Sequence, residues 1–457
     1  MTDDVIELAE LTRPAPEARW TGRHTGLVFA ALVIIAGIIA ALTFLTAPLP
    51  PGDRLTLQAA PLPAWTTKLA DDESAIGIGG DLIVIHQRRL GDQGAAVRGI
   101  DPTSGRELWR HNVRGQAGPL LVRNLPGTGW LALQAGSEVT LLDRLTGAQA
   151  GRFTLPDGDG GDAWFGSSDK GTLLMAVPSY GSVGRVLTVS RLSAPDPRAV
   201  VWSREVPLNA VLMLALRQMD VVEREGLLLV RSADGWRGSG RYSLALRASD
   251  GRAPDWTRGV ERFVIARGVA VFGVDGRLEG RELRTGRELW RLQPASAYLF
   301  GTDSALIIES MGELRRLDPY SGRTQWTTAV GSVFTALVEH GDQLVFYEGA
   351  QTIFPDRGTT KADSAAPWVA ALDLSTGRPL WRTTTPSPVL DVMLGTETVI
   401  ARMYDAHDTS PTFEVAALTE GGAISWVWRD QRDSWSLTRL GSHLATIDPD
   451  GTLTLWN

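Results

Sequence analysis

The strongest cluster of possible metal ligands is the acidic stretch Asp157-Gly158-Asp159-Gly160-Gly161-Asp162. Three carboxylates this close together are the oxygen ligands that a hard cation such as calcium prefers. An EF-hand loop, however, needs glycine at its sixth position and glutamate at its twelfth, where this chain has Asp162 and Ser168. This difference from the EF-hand pattern favours a solvated turn over a calcium site at residues 157–162. If calcium does bind there, we expect it to be a structural clip on a surface loop.

A second group of possible ligands is Asp405, His407 and Asp408, within residues 404–411. Three ligands within four residues of a loop rarely face one point, so the spacing does not assign a metal site. The remaining histidines share no metal-ligand spacing; they are His24, His86, His111, His340 and His443. No nucleophile elbow or glycine-rich phosphate loop is present. The sequence therefore assigns no catalytic, cofactor-binding or metal-binding residue, and no cofactor.

Composition excludes several classes of protein. The 457 residues include no cysteine, which removes disulfides, cysteine-bound zinc and a thiol nucleophile. A net charge of −7 argues against nucleic-acid binding, because that requires a basic face to neutralise phosphates. The 49 glycines indicate many tight turns.

The N-terminal region predicts a membrane anchor. Residues 1–24 are polar and predict a flexible tail, and residues 25–47 form an uncharged run of 23 residues, enough to cross a bilayer once as a helix. Arginines precede the run, so the N-terminus should be cytoplasmic and the rest of the chain extracytoplasmic, at the cell membrane. A cleaved signal peptide is the alternative. Residues 48–64, rich in proline, predict a stiff linker.

The rest of the chain predicts an all-β fold built on a repeat. The ten-residue segment LDLSTGRPLW starts at Leu372, and related segments start at Ile100, Arg281 and Leu317. An apolar residue ends the first strand in three of them and Arg281 takes that place in the fourth. In each, a polar turn with glycine follows, and a second strand ends in tryptophan.

The spacing of the closing aromatic residues predicts four-stranded propeller blades. Successive aromatics lie 34 to 55 residues apart, about the length of one blade; they are Trp65, Trp109, Phe153, Trp202, Trp256, Trp290, Trp326, Trp381 and Trp428. Three strands follow Trp428, and a strand within about residues 55–69 can complete that blade. We therefore predict a β-propeller over residues 65–457 whose two chain ends pair, with eight blades and a range of seven to nine.

These repeats resemble those of the pyrroloquinoline-quinone-like (quinoprotein-like) propellers, with Asp101/Gly105/Trp109, Asp318/Gly322/Trp326 and Asp373/Gly377/Trp381 as the matching positions. The resemblance implies a propeller whose tryptophans pack between blades. Some members are dehydrogenases that bind the quinone and calcium in the central channel, and others are assembly scaffolds without a cofactor. The dehydrogenases carry adjacent cysteines against the quinone, and this chain has none. The resemblance thus favours a non-catalytic scaffold, with a quinone-dependent dehydrogenase or a small-molecule sensor as the alternative.

Long connections are the predicted partner-binding segments. Residues 347–368 exceed what a hairpin requires and include Phe354 and Trp368, which the sequence predicts to be exposed. Residues 231–241, with Trp236, and residues 404–412 show a similar excess. Aromatic residues on such loops can anchor a protein or a cell-envelope component, or they can fold onto their own rim.

Overall fold

A computed structural model describes most of the chain beyond residue 59. The described residues are 60–78, 81–90, 94–114, 118–156, 163–181, 184–193, 198–207, 212, 220–231, 241–274, 276–293, 298–302, 304–310, 312–330, 336–347, 366–395, 398–405, 412–429, 436–440 and 443–456. The chain divides into two units, Met1–Thr46 and Ala47–Asn457, and every described residue belongs to the second. The predicted tail, membrane span and most of the linker lie outside the described residues. Within those residues, no helix has the length and apolar character to span a bilayer.

The described residues form eight antiparallel sheets. The first three in chain order are sheet 1, with β2 (Glu73–Ile78), β3 (Leu82–Gln87), β5 (Ala95–Ile100) and β6 (Glu107–Val113); sheet 2, with β4 (Arg89–Leu90), β7 (Gly118–Leu125), β8 (Trp130–Ala135), β9 (Glu138–Asp143) and β10 (Gln149–Thr154); and sheet 3, with β11 (Trp164–Ser167), β12 (Leu173–Gly181), β13 (Gly184–Leu192) and β14 (Val200–Pro207).

Sheet 4 is the largest and has seven strands. It contains β15 (Val221–Arg224), β16 (Leu227–Arg231), β17 (Arg241–Arg247), β18 (Phe263–Ala266), β19 (Val269–Val274), β20 (Arg277–Glu282) and β21 (Glu288–Leu292). It consists of two runs, β15–β17 and β18–β21, which pair only where Arg241 and Tyr242 meet Val264 and Phe263. A single 3₁₀ turn, η1 (Asp255–Thr257), follows β17 in the place of a fourth strand.

The last four sheets have four strands each. Sheet 5 contains β22 (Tyr298–Gly301), β23 (Leu306–Ser310), β24 (Glu313–Leu317) and β25 (Thr324–Ala329); sheet 6 contains β26 (Ala336–His340), β27 (Gln343–Tyr347), β28 (Trp368–Asp373) and β29 (Pro379–Thr384); sheet 7 contains β30 (Val389–Leu394), β31 (Val399–Asp405), β32 (Thr412–Leu418) and β33 (Ile424–Arg429); and the closing sheet contains β34 (Ser436–Leu440), β35 (His443–Ile447), β36 (Thr452–Trp456) and β1 (Pro63–Lys68).

The two chain ends pair, as the sequence predicts. β1 runs antiparallel to β36, with Trp65 opposite Leu455 and Lys68 opposite Thr452. This pairing gives the closing sheet its fourth strand and covers the edge of β36. The eight sheets are consistent with an eight-bladed propeller. If each run of strands is counted as one blade, the number of blades is nine, because sheet 4 contains two runs. Both eight and nine fall within the predicted range of seven to nine blades.

Apolar clusters lie between neighbouring sheets and form the core. One of them combines Val84 and Val97 of sheet 1 with Leu131 and Leu133 of sheet 2, all at most 1% exposed. The first strands of neighbouring sheets also contact each other, as β34 does β2, β7 does β11, and β26 does β30. A parallel bridge joins Ser168, after β11, to Val221 of β15. First strands side by side and parallel are the arrangement expected around a propeller axis.

Candidate functional site

The turn between the third and fourth strands is built by the sequence of the repeat itself. In sheet 6, Asp373 Oδ1 accepts hydrogen bonds from the Thr376 N–H (2.7 Å) and from the hydroxyls of Ser375 (2.6 Å) and Thr376 (2.9 Å). Gly377 takes φ +70°, which allows its N–H to donate to the Asp373 carbonyl at 2.8 Å. The hydrogen bond from the Ser375 hydroxyl, followed by those from Thr376, lowers the pKa of Asp373 to about 2. Hydroxyl and N–H donors likewise lower the pKa values of Asp101, Asp143 and Asp318 in the corresponding turns.

Each of these turn glycines lies against a tryptophan of the preceding run of strands. A Cβ added at Gly377 would be 2.5 Å from Trp326 Cδ2, so only glycine fits. Seven such contacts occur among the described residues: Gly105 on Trp65, Gly147 on Trp109, Gly251 on Trp202, Gly286 on Trp256, Gly322 on Trp290, Gly377 on Trp326 and Gly422 on Trp381. The repeated contact shows that successive runs of strands share one orientation. The turns between third and fourth strands therefore share one face, which we call the short-turn face; short hairpins between second and third strands, such as those at residues 135–138 and 310–313, lie on the other face.

Five of these tryptophans also donate their indole N–H to the next sheet. The acceptor is the carbonyl of the residue that follows the first turn position: Pro102 for Trp65 (2.7 Å), Arg144 for Trp109 (3.0 Å), Ala248 for Trp202 (2.9 Å), Pro319 for Trp290 (2.6 Å) and Leu374 for Trp326 (3.0 Å). The packing and the hydrogen bond together make each turn part of the interface between sheets.

Two of the predicted closing aromatics are wrong. In four repeats the interface tryptophan, which is Trp109, Trp290, Trp326 or Trp381, follows the turn glycine by four residues. In sheet 7 the corresponding position is Trp426, which pairs with Ala417 as Trp381 pairs with Ala371. Trp428 lies two residues further along. In sheet 2 the equivalent position is Gly151, opposite Leu141, and Phe153 again lies two residues further along. Counting from the glycine would have identified both positions.

The prediction of an exposed Trp368 is also wrong. Trp368 is 3% exposed at the start of β28, with the Arg382 guanidinium 4.3 Å from its ring and Phe346 in an edge contact at 5.6 Å. Its ring faces the core cluster shared by sheets 5 and 6, because alternate residues of β28 point that way. Tyr347, at the other end of this connection, is buried and donates its hydroxyl to the Leu390 carbonyl at 2.9 Å. Phe354 lies outside the described residues.

The strand ends that flank the long connections lie on the face opposite the short turns. Residues 347–368, 231–241 and 404–412 each join a second strand to a third, and antiparallel strands alternate direction. Both ends of the 231–241 connection are held: Arg231 is paired with Asp220 (3.3 Å), and Arg241 Nε donates to the Leu299 carbonyl (3.1 Å) of sheet 5. Trp236 is outside the described residues.

The candidate cation sites lie mostly outside the part of the chain that the structure describes. Residues 157–162 are outside it, as are His407 and Asp408, while Asp405 ends β31 opposite Thr412. Among the described side chains, no three of His, Asp or Glu come together in a way that could hold a metal.

Two acidic side chains on first strands are paired with arginine. Glu73 of β2 accepts from Arg98 at 2.9 and 3.0 Å, and Asp391 of β30 accepts from Arg402 at 2.9 and 2.8 Å. Arg402 also donates to the Leu437 carbonyl (2.6 Å) of the closing sheet. Carboxylates held in this way are not available to a calcium ion. These two carboxylates therefore do not fit as ligands of the calcium that the resembled dehydrogenases bind.

The eight sheets and the repeated turns are consistent with an eight-bladed β-propeller. Residues 310–454 match the family described as PQQ_2, outer membrane protein assembly factor BamB. This part of the chain thus carries the repeat of that family. None of the curated proteins matches the chain in sequence.

Solved structures show similar folds at low identity. BamB from Moraxella catarrhalis is 15% identical, with 87% of this chain and 98% of that chain covered and a TM-score of 0.38. A eukaryotic initiation factor is 9% identical, with 78% and 88% covered and a TM-score of 0.51. The quinohemoprotein alcohol dehydrogenase ADHIIG from Pseudomonas putida is 12% identical, with 81% and 74% covered and a TM-score of 0.35. Of these three, only the initiation factor has a TM-score above 0.5, and at 9% identity it supports the fold alone.

Proposed function

We propose that this protein is a membrane-anchored, extracytoplasmic β-propeller that acts as an interaction or envelope-assembly scaffold and catalyses nothing. The anchor is residues 25–47, with the N-terminus in the cytoplasm, and the binding segment is residues 347–368. The family match over residues 310–454, to a family described by an outer-membrane assembly factor, supports this proposal.

The distribution of the connections is the observation that carries the proposal. The short-turn face is engaged in contacts between sheets, because its glycines lie against the tryptophans of preceding runs. The opposite face has the strand ends that flank the three long connections, together with short hairpins such as those at residues 135–138 and 310–313. Loops presented by a rigid scaffold are where binding residues concentrate.

Site-specific photo-crosslinking in cells tests the binding segment. A photo-reactive amino acid at Gln351, inside residues 347–368, should give a discrete crosslinked product that mass spectrometry identifies as an envelope protein. The same group at Leu145, which is 68% exposed in a short turn of sheet 2, should give none. Equal crosslinked products from both positions, or a product from Leu145 alone, would contradict the proposal that residues 347–368 bind the partner.

Cysteine labelling tests the orientation, and the chain lacks cysteine, so each introduced thiol is the only one. A membrane-impermeant maleimide added to spheroplasts should label Arg378→Cys, at an exposed position of a short turn. Thr2→Cys should react only after lysis. Labelling of Thr2→Cys in intact spheroplasts would reverse the topology.

A further inference from the structure

A cavity lies in sheet 4 where the regular architecture is interrupted. After β17 the chain reaches Pro254, which has no N–H to donate to a neighbouring strand, and then forms the 3₁₀ turn. A fourth strand is therefore missing from this run. The space beside β19, β20 and the turn at Gly286 forms a cavity of about 430 Å³.

The inner wall of the cavity is apolar. The rings of Trp256 and Phe272 stack with their centroids 5.8 Å apart and an interplanar angle of 13°. Val260 and Val274, both half-buried, continue this wall. Such a surface offers contact to an aliphatic or aromatic group that leaves water.

The buried charges in the cavity are already neutralised. The Glu279 carboxylate, whose side chain is 7% exposed, pairs with Arg281 and with Arg291, both at 2.8 Å. Arg281 also donates to the Gly286 carbonyl at 3.2 Å. These groups form a wall with no charge left to satisfy.

Two other arginines on the cavity lining lack a close partner. Arg284 is exposed and, among the described residues, has no carboxylate within ion-pair distance. Arg258 is 3.9 Å from Asp255, and both side chains are almost fully exposed, so water screens that pair. Two guanidinium groups beside an aromatic wall form a site complementary to a carboxylate that adjoins an apolar group.

We propose that this cavity binds a carboxylate next to an apolar side chain, presented by an acidic peptide segment of a partner protein. The inference rests on the proposed scaffold function. It adds a second binding site, in the cavity of sheet 4, and states the chemistry of the partner that this site would bind. The cavity lies beside the short turn of Arg284 to Gly286, so its site is separate from residues 347–368.

Calorimetric titration of the full-length protein tests the inference. The probe is the acetylated, amidated hexapeptide Ala-Glu-Phe-Leu-Glu-Ala, and the control peptide has glutamine for both glutamates. We expect the acidic peptide to bind and the control peptide to bind at least about tenfold more weakly, since charged hydrogen bonds are lost. The double substitution Arg258→Gln and Arg284→Gln should weaken the acidic peptide to a similar extent. Arg378→Gln, at an exposed arginine of another turn, should leave its affinity unchanged.

Two further measurements make the result specific. Val260→Trp, which fills the cavity at a half-buried position, should abolish peptide binding without lowering the thermal midpoint of unfolding. Tighter binding of 3-phenylpropionate than of the peptide would support the carboxylate site and assign it to a free acid. No binding of either probe, or peptide binding that survives both the double substitution and Val260→Trp, overturns the inference. Crosslinking from Gln351 does not depend on this cavity, so the two proposals fail separately.

Discussion

At the scale of single residues, the aspartates of the repeat turns act as structural anions. Each accepts hydrogen bonds within its own turn, and its carboxylate needs no partner from elsewhere in the chain. Hydrogen bonds to the charged form lower its pKa. The prediction from sequence that these aspartates start turns by accepting backbone hydrogen bonds is confirmed.

The lowered pKa of Asp373 predicts a dependence of stability on acid. Its folded-state pKa is about 2 and its ordinary value is 3.8, so the unfolded chain binds more protons between these pH values. The stabilisation is fully present above about pH 4 and is lost as the pH falls towards 2. In Asp373→Asn, which cannot ionise, the thermal midpoint should be lower at neutral pH and should fall less between pH 4 and 2.

The control for this experiment is Asp71→Asn, at an exposed aspartate outside the repeat turns. It should keep the slope of the wild-type protein between pH 4 and 2. If Asp373→Asn also keeps that slope, the turn carboxylate does not contribute as we expect.

At the scale of elements, the contact between a turn glycine and the preceding tryptophan joins neighbouring sheets. The contact needs two properties of glycine at once: a positive φ and the absence of a side chain. At Gly377, φ is +70° and an added Cβ would clash with Trp326, so both properties are needed. At Gly276, φ is +71° but no heavy atom lies within 4 Å of an added Cβ, so only the positive φ is needed. The two positions form a matched pair.

We predict that Gly377→Ala destabilises the protein more than Gly276→Ala. Both changes place alanine in the left-handed region at a cost of about 1–2 kcal/mol. At Gly377 the methyl group also meets Trp326, and overpacking of this kind costs about 1–3 kcal/mol more. Chemical denaturation followed by tryptophan fluorescence measures the difference. Equal losses for the two variants would show that the interface absorbs the methyl group.

At the scale of the whole molecule, the seam between sheet 7 and the closing sheet lacks the contact between a turn glycine and a tryptophan, as does the interface of sheets 2 and 3, where Gly151 takes the tryptophan's position. The closing sheet has no turn between its third and fourth strands, because β36 and β1 come from opposite ends of the chain. Trp426 therefore faces no turn, and its buried indole N–H has no hydrogen-bond partner within the described structure. Trp428 and Trp456, in edge contact at 4.7 Å, and the bond from Arg402 to Leu437 hold this seam instead.

A circular permutant tests this account. Trp456 and Pro63 are opposite each other in the closing sheet, at the register positions that Leu317 and Thr324 occupy in sheet 5. In sheet 5, six residues join Leu317 to Thr324. Joining Trp456 to Pro63 through Asp-Pro-Tyr-Ser-Gly-Arg, and opening the chain between Asp356 and Arg357, should give a folded monomer. An acceptor for the Trp426 N–H should raise its stability by about 1 kcal/mol.

The control permutant has the same opening and a linker of six alternating glycine and serine residues. It should fold without the added stability, and size-exclusion chromatography with a thermal melt compares the two. Aggregation of both permutants would show that the pairing of β1 with β36 does not define the closed ring.

The sequence by itself determined the parts of this protein that depend on neighbouring residues. The strands and the Asp-to-Gly turns follow from periodicity and from hydrogen bonds that span at most a few residues. Counting aromatics gave the approximate number of repeats for the same reason.

Only the tertiary structure decided which side chains meet across sheets. The burial of Trp368, the use of Trp426 instead of Trp428, the missing fourth strand after β17 and the cavity beside Trp256 all depend on residues far apart in the chain. Period-two alternation tells which side of its own strand a residue occupies, and it does not tell what the neighbouring sheet places there.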